Sequence, residues 1–293
     1  MRRASPFEPR RMKISVVIPV YNERERLPPS LGIVREYLNR RGESWEIVVA
    51  DDGSTDGSVA EIEASFPDVR FLRAPRNEGK GAAVRRGMLA ARGELILFTD
   101  ADLSTPIDEL DSLLSALRAS RADGAIASRG LPESRLELRQ PWWREMSGRI
   151  FNTIVRPLSG LPIRDTQCGF KLFTREAARA IFPLCRCNRW AFDVEALMVA
   201  ALLGLRIVET PVRWINSDAS KVRMLKDAPR MAIDIVRFRW RHFTGEYERR
   251  RAEFASAAAP SEPVADDARE DSALDEPEAL SAHGRRSISP RIH

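Results

Sequence analysis

Acidic and polar side chains follow three short apolar runs near the start of the chain. The runs and the residues that end them are Ile14 to Val20 before Tyr21-Asn22-Glu23, Ile47 to Ala50 before Asp51-Asp52-Gly53, and Leu95 to Thr99 before Asp100-Ala101-Asp102. If the runs are strands of an open parallel sheet, a ligand crevice lies beyond their carboxyl ends. We therefore expect these side chains to converge on one site, suited to a nucleotide, its phosphates and a hard metal ion.

Asp100 and Asp102 are the candidate metal ligands. They lie two residues apart after a predicted strand, where a turn can aim both carboxylates at one ion that also holds a diphosphate. Oxygen ligands of this kind predict Mg²⁺ or Mn²⁺. The alternative is a solvated loop or a helix cap, because Asp102 to Pro106 could also start the helix that follows. The two other acidic strand ends favour the metal site.

Two familiar ligand-binding loops are only partly matched. Asp52 to Glu63 approaches the pattern of a calcium-binding loop, but the segment before it, Trp45 to Ala50, has the pattern of a buried strand and not of the helix an EF-hand needs. Gly79-Lys80-Gly81 resembles part of a phosphate-binding P-loop, but Ala74 stands where the first glycine belongs. We predict instead a helix that starts at Gly79, whose free N–H groups can face phosphate.

Strand and helix patterns alternate as far as Ser128. In chain order the further predicted elements are a helix over Leu27 to Arg40, a strand over Trp45 to Ala50, a helix over Asp56 to Ser65, a strand over Val69 to Leu72, a helix over Gly79 to Ala91, a strand over Glu94 to Thr99, a helix over Ile107 to Ala119 and a strand over Ala125 to Ser128. This run of βα units predicts an α/β fold with a mostly parallel sheet and helices on both faces.

Beyond Arg129 the alternation stops. A polar loop, a helix near Trp142 to Val155 and a mixed segment to Pro211 are followed by a last helix from about Leu225 to Phe243. From Ala255 the chain is rich in Ala, Ser, Pro and acids, a composition that buries too little apolar surface to offset the entropy of ordering. We expect disorder there.

Composition limits the class of protein. The chain has 293 residues, 43% of them hydrophobic and 30% charged, which suits one domain with tails. Three cysteines and three histidines favour neither a disulfide framework nor a zinc cluster and predict a cytoplasmic location. We expect no signal peptide, and the longest nearly apolar stretch, Ala196 to Leu205, is shorter than the roughly 18 residues of a membrane span. A net charge of +5 favours anionic partners.

Four segments carry a family resemblance, each at a predicted strand end: Val17-Ile18-Pro19-Val20-Tyr21-Asn22-Glu23, Asp51-Asp52-Gly53-Ser54-Thr55-Asp56, Asn77-Glu78-Gly79-Lys80-Gly81 and Asp100-Ala101-Asp102-Leu103. Together they resemble the inverting glycosyltransferases of family 2, which have the GT-A fold. Two later segments, Ile163 to Thr174 and Arg189 to Glu195, resemble the dolichyl-phosphate β-glucosyltransferases within that family. The resemblance covers about Lys13 to Tyr247.

The resemblance implies a reaction and its site. A UDP-sugar, with glucose favoured by the two later segments, would give its sugar to a polyprenyl phosphate and form a β-linked product. The implied nucleotide-binding residues are Pro19, Tyr21, Glu23, Asp51 or Asp52, Lys80 and Asp100. Asp100 and Asp102 would manage the metal and the sugar diphosphate, although Ser104 stands where related mannose synthases carry a glutamine ligand.

The acceptor phosphate needs basic groups more than it needs a general base. Its oxygen is already anionic at neutral pH, so the barrier should fall through positioning and through neutralisation of the leaving diphosphate. Arg129 is the first candidate for a phosphate clamp, and each arginine could also be an ordinary surface residue. The further candidates are Arg144, Arg149, Lys171 and Lys221. By analogy Asp165 faces the reaction centre and orients a clamp residue or the metal; a turn-forming Asp is the alternative.

The last predicted helix suggests contact with a membrane surface. At 100° per residue a wide apolar arc forms opposite a basic face of Lys226, Arg230, Arg237 and Arg241. The arc consists of Met231, Ala232, Ile233, Ile235, Val236, Phe238, Trp240 and Phe243. Trp240 beside a basic strip fits a helix in an anionic membrane surface, and packing against the domain is the alternative. We predict a peripheral protein on the cytoplasmic face of a membrane.

These expectations divide the chain and leave other functions open. The predicted parts are a basic N-terminus over 1–12, a nucleotide-binding half over 13–128, an acceptor half over 129–221, the amphipathic helix over 222–245 within a domain that ends at 247, and a disordered tail over 248–293. Alternatives are another donor such as GDP-mannose or UDP-N-acetylglucosamine, a saccharide acceptor, or a non-enzymatic basic adaptor at a membrane. We expect no nucleic-acid partner, because the clustered acids would repel phosphate. The sequence identifies no partner protein.

Overall fold

The central sheet has seven strands, and its order brings the polar strand ends together. The computed structural model describes residues 13–137, 155–215 and 224–258. In it the strands are β1 (Ile14–Val20), β2 (Trp45–Asp51), β3 (Val69–Arg73), β4 (Leu95–Thr99), β5 (Gly124–Ser128), β6 (Arg135–Glu137), β7 (Phe170–Thr174), β8 (Ile207–Pro211) and β9 (Arg213–Ile215). The sheet order is β3-β2-β1-β4-β7-β5-β8, so β1 lies between β2 and β4.

The sheet is mostly parallel, as predicted. β1 pairs in parallel with β2 and β4, and β5 pairs in parallel with β8. β7 runs antiparallel to both of its neighbours, β4 and β5. The reversal places the start of β7 at the edge where β4 ends, so that the backbone N–H of Asp100 donates to the carbonyl of Gly169. β6 and β9, which were not predicted, form a separate parallel pair.

Helices cover both faces of the sheet. They are α1 (Leu27–Arg41), α2 (Ser58–Ser65), α3 (Lys80–Ala90), α4 (Leu110–Ser120), α5 (Arg175–Ile181), α6 (Phe192–Leu202), α7 (Met224–Phe243) and α8 (Glu246–Ala258), with a 3-10 turn over Ile107–Glu109. Every residue of β1 is buried, because alternate side chains enter opposite layers of the core. Val16 and Ile18 pack in the layer of α1 and α4, whereas Val17 packs in the layer of α3 and α6.

The apolar arc predicted for the last helix divides into two faces. Met231, Ile235 and Phe238 are buried in the core, whereas four other members of the arc face outward. The exposed members are Ile233, Val236, Trp240 and Phe243, which lie three or four residues apart and therefore on one side of α7. We call these four side chains the outer face of α7.

The ordered chain continues past the predicted end of the domain. A disordered tail from 248 was predicted, but α8 extends from Glu246 to Ala258, so that prediction is wrong for 248–258. Tyr247, near the start of α8, is 3% exposed and packs in the core. Residues 1–12 and 259–293 lie outside the described residues, as does most of the helix predicted near Trp142. None of the described helices is both long enough and apolar enough to span a bilayer.

Candidate active site

A cavity of about 370 Å³ lies beyond the carboxyl ends of β1, β2 and β4. This is the edge at which a parallel sheet binds its ligands. The lining residues come from the three strand ends, from the start of α3 and from the loop before α6. They are Pro19, Val20, Tyr21, Glu23, Arg26, Asp52, Asn77, Glu78, Gly79, Lys80, Ala83, Asp100, Ala101, Asp102, Arg189 and Trp190. Most of the residues predicted from the sequence to bind a nucleotide or metal are thus together.

The sequence did not indicate which of Asp51 and Asp52 would bind the nucleotide, and the structure places them differently. Asp51 is buried and does not line the cavity; its carboxylate accepts from the N–H of Ser54 at 3.0 Å and from the hydroxyl at 2.5 Å. Asp52 lines the cavity, and its two oxygens accept from the N–H groups of Glu78 at 3.1 Å and Gly79 at 2.7 Å. Asp51 therefore shapes the turn after β2, and Asp52 ties that turn to the start of α3.

Lys80, the first residue of α3, forms an ion pair across the cavity with Asp100. Its Nζ lies 2.6 Å from Oδ1 of Asp100 and 5.6 Å from the ring centroid of Trp190. Burial lowers the pKa of Lys80, but the carboxylates of Asp100 and Asp193 outweigh that effect and raise the pKa above its ordinary value. Lys80 is therefore a permanent positive charge in the lining of the cavity.

Gly169 leaves room for the Asp100 carboxylate. A Cβ on Gly169 would lie 2.1 Å from Oδ2 of Asp100, a distance that no pair of non-bonded atoms adopts. A side chain at this position before β7 would therefore have to displace the carboxylate of Asp100. The carboxylate is held between this glycine and Lys80.

The two acids of the Asp-x-Asp segment can hold only part of a metal's coordination shell. Asp102 accepts from the N–H of Ser104 at 3.0 Å through Oδ1, and both acids line the cavity. Among the described residues, no group of three His, Cys, Asp or Glu side chains converges on one point. The donor set fits Mg²⁺ or Mn²⁺ if the remaining ligands are oxygens from a diphosphate and water.

Arg129 and Asp165 form a second charged unit after β5. The Nε and Nη2 atoms of Arg129 lie 2.7 and 3.0 Å from the two oxygens of Asp165, and the N–H of Arg129 also donates to that carboxylate at 3.0 Å. Burial raises the pKa of Asp165, but the guanidinium outweighs it and holds that pKa at about 2. β4 and β5 both run antiparallel to β7, which lies between them, so the unit after β5 lies at the same sheet edge as Asp100. Asp165 is permanently ionised at neutral pH.

Lys171 does not line the cavity. Its ammonium, which is 2% exposed, pairs with the buried carboxylate of Asp193 and donates to the carbonyl of Cys168 at 2.6 Å. We therefore correct its assignment as an acceptor-phosphate ligand, because a phosphate would have to displace Asp193 from the core. Arg144, Arg149 and Lys221 lie outside the described residues.

Sequence reasoning missed several residues of the cavity. Arg26, Asn77, Glu78, Arg189 and Trp190 line it, and none of them was assigned a role. Asn77, Glu78, Arg189 and Trp190 belong to segments that carried the family resemblance, which was the only signal for a functional role of these residues. Their position depends on long-range packing between the loop before α6 and the start of α3, which no local pattern reveals.

Comparison with known proteins identifies relatives of this chain. The family model described as glycosyl transferase family 2 matches residues 15–182. The chain is 38% identical over 247 residues to dolichyl-phosphate beta-glucosyltransferase of Dictyostelium discoideum, an alignment that covers 79% of this chain and 75% of that protein. It is 36% identical over 251 residues to the Homo sapiens protein of the same name, covering 80% and 77% of the two chains.

Solved structures share the fold at lower identity. Mannosyl-3-phosphoglycerate synthase from Rubrobacter xylanophilus superposes with a TM-score of 0.59 at 21% identity, covering 80% of this chain and 75% of that one. Glucosyl-3-phosphoglycerate synthase from Mycobacterium tuberculosis, in complex with Mn²⁺, UDP-glucose and glycerol 3-phosphate, superposes with a TM-score of 0.55 at 22% identity and covers 78% of each chain. The architecture is therefore the one predicted for the sheet and its flanking helices.

Gly169→Ala tests the packing around Asp100. The added methyl group must displace the carboxylate, so we expect the affinity for UDP in the presence of Mn²⁺ to fall about tenfold, measured by titration calorimetry. Gly32→Ala is the control, because a Cβ at that position in α1 meets nothing within 4 Å. Equal affinities of the two variants would show that the position of Asp100 does not matter for binding.

Proposed function

The chain belongs to glycosyl transferase family 2, and we propose that it transfers glucose from UDP-glucose to the phosphate of a polyprenol such as dolichyl phosphate, giving a β-linked lipid-phosphate sugar. The observation that carries the proposal is that two charged units lie at the same edge of the sheet. Lys80 and the acids of the Asp-x-Asp segment suit a nucleotide diphosphate, and Arg129 at the same sheet edge suits a second phosphate.

The donor would occupy the cavity at the ends of β1, β2 and β4. We assign Pro19, Tyr21 and Glu23 to the uracil and ribose, because they line the cavity at the end of β1. Lys80 would hold the diphosphate, and Asp100 and Asp102 would hold Mg²⁺ or Mn²⁺. When bound, this metal ion neutralises part of the charge of the departing UDP.

Lys80 has to exchange partners when the donor binds. In the ligand-free cavity its ammonium neutralises Asp100, and a bound metal ion would take over that task. The ammonium is then free to turn toward the β-phosphate while Asp100 keeps a positive neighbour. Such an exchange would keep the partly exposed carboxylate of Asp100 next to a positive charge at each stage.

The acceptor phosphate would approach from the side of Arg129. One of its anionic oxygens attacks the anomeric carbon of the sugar, the bond from that carbon to the UDP oxygen breaks, and the electron pair leaves with UDP. No proton has to move, so the site needs no general base. Asp165 is suited to orientation, since a carboxylate with a pKa of about 2 is a weak base and is held by three bonds from Arg129.

The outer face of α7 would attach the protein to the cytoplasmic face of a membrane, in which the polyprenyl chain of the acceptor would be embedded. Trp240 is 66% exposed and Phe243 is 84% exposed, and such aromatic side chains suit the boundary between lipid headgroups and acyl chains. The exposed Arg237 could meet anionic lipid. Arg241, predicted for the same basic strip, is instead turned inward, with Nη1 3.5 Å from Oε1 of Glu195.

A transfer assay tests the proposed reaction. We expect purified protein with Mg²⁺ or Mn²⁺ to move label from UDP-glucose to a short polyprenyl phosphate, recovered in the organic phase as a β-linked product. UDP-N-acetylglucosamine, GDP-mannose and a soluble saccharide acceptor serve as comparisons. Faster transfer from either of those donors would contradict the assignment of glucose, and absence of transfer from all of them would contradict the enzyme.

Asp165→Asn tests the orienting role of the carboxylate. Loss of the charge releases the guanidinium of Arg129, so we expect turnover to fall about a hundredfold with UDP affinity within about twofold of the wild type. Asp111→Asn, which removes the charge of an exposed partner of Arg41, is the control and should change neither quantity. Equal losses of turnover and of UDP affinity in Asp165→Asn would contradict the role.

Liposome flotation tests the membrane surface. Vesicles that contain anionic lipid should capture the wild-type protein, and the double variant Trp240→Ser and Phe243→Ser should lose most of that capture because the apolar anchor is gone. Leu89→Ser, which alters an exposed apolar residue of α3, is the control. Unchanged capture of the double variant would exclude the outer face of α7 as the attachment surface.

A further inference from the structure

A buried carboxylate connects the C-terminal helices to the donor cavity. We propose that Glu195 and Tyr247 are positioning residues of the donor site, although neither lines it: together they hold the loop over residues 186–190 against the start of α3. The inference rests on the proposed function only for the identity of the nucleotide. It makes α8, which lies beyond the family-model match over 15–182, a working part of the donor site.

Glu195 contacts two separate parts of the protein through its two oxygens. The side chain, on α6, is fully buried. Oε2 accepts from the N–H groups of Arg186 at 2.8 Å and Cys187 at 2.6 Å. Oε1 accepts from the hydroxyl of Tyr247 at 2.9 Å and lies 3.5 Å from Nη1 of Arg241. The carboxylate therefore fixes the backbone of the loop on one side and the helix pair α7 and α8 on the other.

The loop lies directly on the first turn of α3. The carbonyl oxygen of Cys187 would be 2.3 Å from a Cβ on Gly81, and that of Asn188 would be 2.3 Å from a Cβ on Gly79. The Asn188 carbonyl also accepts from the N–H of Ala82 at 3.2 Å. The loop backbone therefore packs where side chains of Gly79 and Gly81 would otherwise lie and is hydrogen-bonded to α3, so a displacement of the loop should disturb the start of α3.

Arg85 adds hydrogen bonds between α3 and the loop before α6. Its guanidinium donates to the carbonyl of Cys185 at 3.2 Å and to Oδ1 of Asn188 at 2.9 Å. Arg85 lies on α3 and does not line the cavity. Removing these hydrogen bonds would loosen the loop without changing the buried carboxylate of Glu195.

Both segments held in this way carry donor-site residues. Arg189 and Trp190 of the loop line the cavity, as do Gly79 and Lys80 at the start of α3. The ammonium of Lys80 lies 5.6 Å from the ring centroid of Trp190 and 5.9 Å from that of Phe192. A physical path therefore runs from Tyr247 through Glu195 and the loop to the cation that faces the diphosphate.

Tyr247→Phe is the most selective test, because it removes one oxygen atom and keeps the ring in the core. We expect its dissociation constant for UDP with Mn²⁺, and its KM for the sugar donor, to rise about five- to tenfold, with kcat within about twofold of the wild type. Tyr37→Phe is the matched control, since Tyr37 is also buried and its hydroxyl accepts from Arg41 at 3.1 Å in the opposite core layer. That variant should bind UDP as the wild type does.

Arg85→Ala tests the same loop by removing its hydrogen bonds to α3. Arg85 is only partly buried, so we expect this variant to fold. It should raise the dissociation constant in the same direction as Tyr247→Phe. If Tyr247→Phe and Arg85→Ala both bind UDP as tightly as Tyr37→Phe does, the proposal is overturned. A loss confined to kcat would also overturn it. If the wild-type protein itself binds no UDP, the proposed function fails instead, so the two failures are distinguishable.

Discussion

Compensation of buried carboxylates is the constraint on which the rest of the structure depends. An ionised carboxylate that leaves water without a partner costs several kcal/mol, so each acid at the sheet edge needs a cation or N–H groups. Asp52 has the N–H groups of the loop before α3, Asp100 has Lys80, Asp165 has Arg129, and Asp193 has Lys171. These pairings determine where the turns, the start of α3 and the loop before α6 can lie.

The pairings differ in whether a bound ligand could replace one of the two charged partners. Asp193 and Lys171 are both buried and fill their positions completely, so they form part of the scaffold. Lys80 and Asp100 face a cavity and are partly exposed, so a ligand that brings its own positive and negative charges can exchange partners with them. Arg129 keeps one third of its side chain exposed while Asp165 is buried, which leaves the guanidinium able to meet an anion. The proposed donor and acceptor sites follow from this difference.

The local sequence pattern was sufficient to predict the polar edge of the sheet. It was insufficient to predict how the surrounding side chains and helices pack. β1, β2 and β4 are apolar runs that end in acids, so both the strands and their convergence could be predicted. Lys171 could not be distinguished from a surface lysine, because its partner Asp193 lies on a different element and approaches only in the folded chain. The helix α8 was missed because its composition is polar and its contacts are long-range: Tyr247 bonds to Glu195, and Arg250 donates to the carbonyl of Pro183.

The central claim is that Asp100 and Asp102, the two acids that follow β4, act together on one metal–diphosphate unit beside Lys80. Electron paramagnetic resonance of Mn²⁺ measures this most directly, since it reports bound ion without requiring turnover. We expect tight Mn²⁺ binding to the wild-type protein only when UDP is present, and no such binding to the double variant Asp100→Asn and Asp102→Asn. Undiminished UDP-dependent Mn²⁺ binding by that variant would contradict the account.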